Sequence, residues 1–145
     1  MTAKEPYFEW DETLGIAYCE LTDGERTWVG MAECHEDDFD MKNEKTGCEI
    51  AFRRARIKAL KEKKRDLKLQ LSALNQTYYS MNRSKYFNPK SYENRMLRRQ
   101  IHLIESDLNT FKDMIATEEQ NLITYLKEKD KFYKHIRYNR EKDRK

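Results

Sequence analysis

The sequence predicts an α+β protein in which a small antiparallel sheet of about three strands packs on a long antiparallel pair of helices. The first 45 residues contain short apolar and aromatic runs around an Asp-Gly turn signal, which indicates a β-meander. Residues 46–145 contain one Gly and one Pro, and apolar side chains recur there every 3.5 residues, as is typical of a coiled coil. We therefore expect an acidic β-meander head, residues 1–45, followed by an oligomeric helical hairpin with a basic tail, residues 46–145.

The charge of the chain is unevenly distributed. The net charge is only +3, yet residues 1–45 contain 4 Lys/Arg against 13 Asp/Glu, and residues 46–145 contain 25 Lys/Arg against 13 Asp/Glu. Two interpretations follow: the head and body of neighbouring subunits attract each other, or the body binds phosphate-bearing ligands.

The compartment is expected to be the cytoplasm. The first residues are polar and acidic, and no run approaches the roughly 18 apolar residues that a membrane span needs. Three cysteines, at positions 19, 34 and 48, fit a reducing compartment better than a disulfide framework, and their spacing fits no compact zinc motif. We expect no metal, no cofactor and no membrane partner.

Each predicted element has its own signal. The runs "LGIAYCEL" and "RTWVGMAEC" flank "TDGE", which predicts a hairpin. Apolar and polar residues alternate only loosely around this turn, so the pattern does not indicate which face of the hairpin is buried. Thr46 and Glu49 have the spacing of a capping box, so we expect the first helix over about residues 46–81. Asn88-Pro89 predicts the start of a second helix over about residues 89–137.

The apolar seam of the second helix contains two polar positions, Glu118 and Lys129. They either specify the register of the coiled coil or form a polar pocket between helices. The second helix is expected to be longer than the first, so part of its seam lacks a partner within the chain. Self-association, as a dimer or a higher form, is the resulting prediction.

No catalytic motif is found: the sequence has no Gly-rich phosphate loop, no H-E-x-x-H and no G-x-S-x-G. We therefore expect a protein that is not an enzyme. The stretch "YYSMNRSKYFNPKSYENRMLRR", residues 78–99, instead combines aromatic, Asn and Arg side chains, which can stack on a base, pair with its edges and bind phosphates. The alternative is a hairpin tip whose aromatics cover two helix ends.

"GMAECHEDDFD…TGCEIAFRRARIKAL" together with "YYSMNRSKYFNPKSYENRMLRRQI" resembles small proteins of phages that infect Gram-positive bacteria, the first-described class of Thoeris anti-defence proteins. The similarity covers most of residues 28–105 and includes no diagnostic catalytic motif. It implies an oligomeric protein in the cytoplasm of the infected host that sequesters a cyclic ADP-ribose isomer, such as glycocyclic ADP-ribose, without degrading it. It also implies that cyclic oligonucleotides could bind at a separate basic site between subunits.

The resemblance also implies which positions bind ligand. Those that best match the nucleotide pocket of the family are Phe87, Asn88, Tyr92, Asn94, Arg95 and Arg99. Arg54 and Arg56 would form a second anionic site. The residues themselves leave open whether the pocket lies at the tip or along the seam near Phe111 and Asn121, and the basic tail receives no role.

Two other functions compete with sequestration. One is a coiled-coil inhibitor that binds a host defence protein or nuclease directly. The other is a nucleic-acid-binding accessory protein, based on the basic residues 53–65. Interspersed Glu and the acidic head argue against a polymeric nucleic acid, which we do not expect as a partner.

Overall fold

A computed structural model describes residues 5–34, 43–83 and 88–143, with side chains up to residue 132. It contains a three-stranded antiparallel sheet packed against two long helices, which confirms the predicted α+β class. The strands are β1 (Tyr7–Asp11), β2 (Ile16–Thr22) and β3 (Thr27–Glu33), in the spatial order β1-β2-β3. The helices are α1 (Glu44–Asn82) and α2 (Tyr92–Asp143).

The hairpin between β2 and β3 forms as the Asp-Gly signal predicts. Thr22 pairs with Thr27, and Gly24 has a φ of 97°, a conformation that L side chains rarely adopt. The Asp23 carboxylate accepts hydrogen bonds from the backbone N–H groups of Glu25 and Arg26, each at 2.9 Å. The turn is therefore stabilised by its own side chain.

Helix α1 begins two residues before the predicted capping box. The side chain of Asn43 accepts a hydrogen bond from the Thr46 backbone N–H at 3.2 Å, and the carbonyl of Asn43 accepts one from Gly47 at 2.9 Å. Asn43 is therefore the N-cap, and Thr46 lies buried in the first turn. The prediction that Thr46 caps the helix was wrong, because a second capping residue lies just upstream.

Small residues make up the centre of the inner face of the sheet, and the larger Trp10, Leu21 and Trp28 lie on the same face. Ala17 and Cys19 of β2 are fully buried, as are Ala51 and Ala55 of α1, which pack against them. A Cβ atom at Gly30 would lie 1.9 Å from the carbonyl oxygen of Ala51. Helix and sheet therefore approach each other more closely than large side chains would allow.

The residues form two compact units, and each helix contributes one part to each unit. The first unit contains the residues up to Ala59 and those from Ala116 onward; the second spans Leu60–Ile115. The boundary expected between residues 45 and 46 falls inside the first unit. No helix in the described part of the chain has an apolar stretch long enough to cross a membrane.

In the first unit the two helical parts run antiparallel. The Arg53 guanidinium lies 5.3 Å from the centre of the Tyr125 ring, and Arg56 forms an ion pair with Glu118. In the second unit the predicted seam of α2 is buried at Ile101, Leu108 and Ile115. The 3.5-residue repeat therefore marks buried positions.

Candidate functional site

Helix α2 begins at Tyr92, three residues after the predicted start at Pro89. The hydroxyl oxygen of Ser91 accepts a hydrogen bond from the Asn94 backbone N–H at 3.2 Å, and the Ser91 carbonyl accepts one from Arg95 at 3.1 Å. Ser91 is therefore the N-cap, and the prediction of an Asn88 cap was wrong.

Asn88 forms a turn ahead of the helix instead. Its side-chain oxygen accepts a hydrogen bond from the Lys90 backbone N–H at 3.0 Å, and its carbonyl accepts one from Ser91 at 3.1 Å. The Asn88 side chain therefore forms an Asx turn. Asn88 is exposed on the surface.

Asn94 is the buried polar residue of this region, with 2% of its surface exposed. Its side-chain nitrogen donates a hydrogen bond to the Asn88 carbonyl at 2.6 Å, while its side-chain oxygen has no hydrogen-bond partner in the described part of the chain. The structure thus brings two of the predicted site residues into direct contact. Asn94 holds the turn in place and retains one unused acceptor atom.

Tyr92, Arg95 and Arg99 share one face of α2, because they are spaced by 3 and 4 residues. The Tyr92 side chain is 69% exposed, and both arginines are exposed. Neither guanidinium has a hydrogen bond or an ion pair with any described residue. We call these three residues the tip face.

Arg98 differs from its neighbours, since its guanidinium donates a hydrogen bond to the Pro89 carbonyl at 2.9 Å. It therefore stabilises the turn that leads into α2, leaving Arg95 and Arg99 as the cations that face solvent. Phe87, the remaining residue of the predicted site, lies outside the described residues.

The tip face has the chemistry of an anion site with an aromatic platform. The N-terminal end of a helix carries a partial positive charge, and exposed guanidinium groups can bind phosphate oxygens through two parallel hydrogen bonds. An exposed tyrosine ring offers a surface on which a nucleobase can stack. These groups contain no nucleophile paired with a base.

Arg54 and Arg56, the predicted second anionic site, already contact other parts of the first unit. Arg54 donates a hydrogen bond to the Met31 carbonyl at 2.7 Å, and Arg56 lies 3.3 Å from the Glu118 carboxylate. Each guanidinium keeps further N–H groups, so an anion site here stays a prediction.

Glu118 and Lys129, the two polar seam positions, have different surroundings within the first unit. Glu118 pairs with Arg56, so it connects the two helical parts. The Lys129 ammonium lies 5.5 Å from the centre of the Tyr125 ring and lines a cavity. Glu118 thus takes part in an ion pair between the helices, whereas Lys129 borders a cavity.

That cavity has a volume of about 200 Å³ and escaped the sequence analysis. Its walls come from the ends of strands and from both helices, and they include Trp10, Cys34, Thr46, Ile50, Leu126 and Lys129. No motif connects residues so distant in sequence. The polar residue at position 129 of the apolar seam was the one signal that pointed there.

The three cysteines, Cys19, Cys34 and Cys48, have free thiols. The described residues contain no group of three or more His, Cys, Asp or Glu side chains that could hold a metal ion. Burial raises the pKa of the Cys19 thiol to about 11, and burial also raises the pKa of Cys48. Both thiols are therefore protonated near neutral pH, when they are poor nucleophiles.

Comparison with protein-family models, with curated proteins and with solved structures finds no match to this chain. The case for a function therefore depends on the residues of the tip face and on the resemblance seen in the sequence.

Proposed function

We propose that this chain is a non-catalytic binding protein of a phage, which sequesters a cyclic ADP-ribose isomer in the cytoplasm of the infected bacterium and so blocks Thoeris-type immunity. The observation that carries the proposal is the tip face, where Tyr92 and two unpaired arginines lie together at the start of α2. A cyclic ADP-ribose isomer has a purine and two phosphates, which match one aromatic ring and two guanidinium groups.

The energies of such contacts are adequate for tight binding. Stacking of a base on an aromatic side chain contributes about 1–3 kcal/mol, and hydrogen bonds to charged groups contribute about 1.5–3 kcal/mol each. Two Arg–phosphate contacts and one stacked base together contribute about 4–9 kcal/mol, and before the cost of association the upper end of this range matches the roughly −8 kcal/mol of micromolar binding. Phe87 or a second subunit would add the contacts needed for slower release.

An open surface suits this ligand better than the small cavity of the first unit. That cavity has a volume of about 200 Å³, below the roughly 300–1,000 Å³ of pockets that bury drug-sized ligands. The small volume of this cavity supports binding of the ligand at the tip face instead.

Sequestration needs no catalytic group, because a protein that only retains its ligand stabilises no transition state. The turn ahead of α2 is held by the Asn88–Asn94 and Arg98–Pro89 hydrogen bonds. Such preorganisation lowers the entropic cost of binding. The proposed activity thus depends on a hydrogen-bonded helix start that presents exposed side chains to a signal molecule.

Mass spectrometry provides the direct test. Purified protein is exposed to the product of a TIR-domain defence protein, washed and heated, and the released small molecules are identified. We expect an intact cyclic ADP-ribose isomer. A supernatant without such a compound, or with only a chemically altered form, would contradict the proposal.

The tip face itself is tested by substitution. We expect Arg95→Ala and Arg99→Ala each to weaken binding at least about tenfold, since each removes a charge-assisted contact of roughly 1.5–3 kcal/mol. Isothermal titration with cyclic ADP-ribose isomers measures the affinity. Lys112→Ala, which removes an exposed cation farther along α2, is the matched control and should bind as the unmodified protein does. Equal affinity in all three variants would place the ligand elsewhere.

We also propose that the chain self-associates through the second unit. Met96, Leu103 and Met114 are spaced by 7 and 11 residues, close to two and three helical turns, so they share a face of α2. Their side chains are 36%, 58% and 36% exposed. Leu103 also lines an open groove of about 470 Å³ with Leu74 of α1, and a second copy would cover this apolar surface.

A further inference from the structure

The two edges of the sheet differ, and the hydrogen bonds define which backbone groups each edge presents. The backbone N–H of Asp23 donates a hydrogen bond to the Arg26 carbonyl at 3.3 Å, and the backbone N–H of Cys34 donates one to the Gly15 carbonyl at 2.9 Å. In an antiparallel pair, hydrogen-bonded and non-hydrogen-bonded residue pairs alternate. The backbone groups of Val29 and Met31 therefore point away from β2, towards the free edge of β3.

Side chains of α1 cover this edge. The Lys58 ammonium donates to the Val29 carbonyl at 2.7 Å, and the Arg54 guanidinium donates to the Met31 carbonyl at 2.7 Å. Lysine and arginine on an edge strand are a known protection against pairing with other chains. The β3 edge is thus protected by two cations.

No side chain of the described residues donates a hydrogen bond to the β1 edge in the same way. The backbone groups of the odd-numbered residues of β2 form hydrogen bonds with β3. Those of the even-numbered residues therefore form hydrogen bonds with β1, where their partners are Tyr7, Glu9 and Asp11. The backbone groups of Phe8 and Trp10 therefore point outward. No hydrogen bond to these backbone groups comes from any residue within 5–34, 43–83 or 88–143.

The surroundings of the β1 edge are apolar and acidic. Phe8 is 43% exposed, and its ring centre lies 6.4 Å from that of Phe52. On the opposite face of the sheet, Glu9 and Asp11 line an open groove of about 590 Å³. The remaining lining residues of that groove are Trp10, Glu12, Ile16, Tyr18 and Met31.

We propose that the β1 edge binds an extended segment of a partner protein in which Lys or Arg alternates with apolar residues. The segment would add a fourth strand, with main-chain hydrogen bonds to Phe8 and Trp10. Its side chains on the outer face would lie beside Glu9 and Asp11, which favours cations. Those on the other face would lie beside Phe8, which favours apolar groups.

A second copy of β1 fits this edge poorly. Antiparallel pairing through Phe8 and Trp10 would centre on Glu9 and place two Glu9 carboxylates directly opposite each other. Like charges in that position destabilise a strand pair. Charge complementarity therefore favours a basic segment of a different protein.

The probe is a heptapeptide that alternates Lys and Val, added to the full chain and followed by fluorescence anisotropy. We expect saturable binding that Glu9→Lys combined with Asp11→Lys weakens at least tenfold. Glu25→Lys, in the turn between β2 and β3, is the control and should change the affinity little. A peptide that alternates Glu and Val should not bind.

Amide hydrogen exchange, measured by NMR on the unmodified protein, separates strand addition from simple charge attraction. The peptide should slow exchange at Phe8 and Trp10 at least tenfold and leave Tyr7 and Glu9 unchanged. Binding without this protection would overturn the proposal. So would protection that appears without peptide and increases with protein concentration, because a second copy would then occupy the edge.

Discussion

Gly30 is the residue at which α1 crosses β3, and we expect Gly30→Ala to destabilise the protein strongly. The added Cβ would lie 1.9 Å from the Ala51 carbonyl oxygen and 2.6 Å from the Ala55 nitrogen, both of them backbone atoms of the helix. The helix must move away from the sheet, which opens the contact between small buried residues. We predict a loss of more than about 3 kcal/mol of unfolding free energy, measured by urea titration with circular dichroism.

Gly47→Ala is the matched control for this substitution. Its Cβ would lie 3.0 Å from the Ala17 Cβ and 3.1 Å from Cζ3 of Trp10, so the Trp10 ring and the backbone at Ala17 must each move by only a few tenths of an ångström. Replacing a helical Gly by Ala contributes about 0.8–1 kcal/mol of stability, which offsets this crowding. The variant should therefore stay within about 1 kcal/mol of the unmodified protein. If both variants were equally stable, α1 could not lie against β3 at the observed distance.

At the scale of the element, the start of α2 depends on Ser91. We expect Ser91→Ala to cost about 1 kcal/mol of stability, because the Asn94 N–H loses its acceptor at the helix end. Faster amide exchange of Asn94 in NMR measures the effect locally. Asn88→Ala should have a smaller effect on that amide, since its carbonyl remains and only the bond to Lys90 is lost. If Asn88→Ala increased the exchange of the Asn94 amide more than Ser91→Ala does, Asn88 would be the N-cap.

The existence and type of every element could be predicted from the sequence, but their exact starts could not. Both helix starts contain two capping residues three positions apart, Asn43 with Thr46 and Asn88 with Ser91. Propensity does not distinguish them, because the choice depends on which backbone amide each side chain reaches. The buried face of the sheet was also left open, since small residues lie inside while Ile16 and Tyr18 lie on the other face.

The residue types of the candidate site could be predicted from the sequence, but the arrangement of their side chains could not. Aromatic and Arg side chains near the bend were visible in the sequence, and Tyr92, Arg95 and Arg99 share an exposed face. The burial of Asn94 could not be predicted, because its role depends on a hydrogen bond to a carbonyl six residues earlier. An asparagine in a turn is equally compatible with ligand recognition and with support of the backbone.

At the scale of the whole molecule, the two helices differ in length by 13 residues, since α1 has 39 and α2 has 52. At about 1.5 Å per residue, α2 is roughly 20 Å longer. A single chain therefore cannot cover the whole apolar side of α2 with α1. A separate observation supports the proposed self-association: apolar residues of α2 within the second unit, such as Leu103, remain exposed.

Leu103→Glu tests this assembly. A carboxylate in an apolar interface must be desolvated or exposed, so we expect the variant to shift the association equilibrium towards monomer by at least tenfold. Light scattering coupled to size-exclusion chromatography over a range of protein concentrations measures the shift. Leu69→Glu alters a leucine of α1 that is 65% exposed and does not line the Leu103 groove, so it should assemble normally. An unmodified protein that stays monomeric throughout, or equal loss of assembly in both variants, would show that the apolar face of α2 does not hold two copies together.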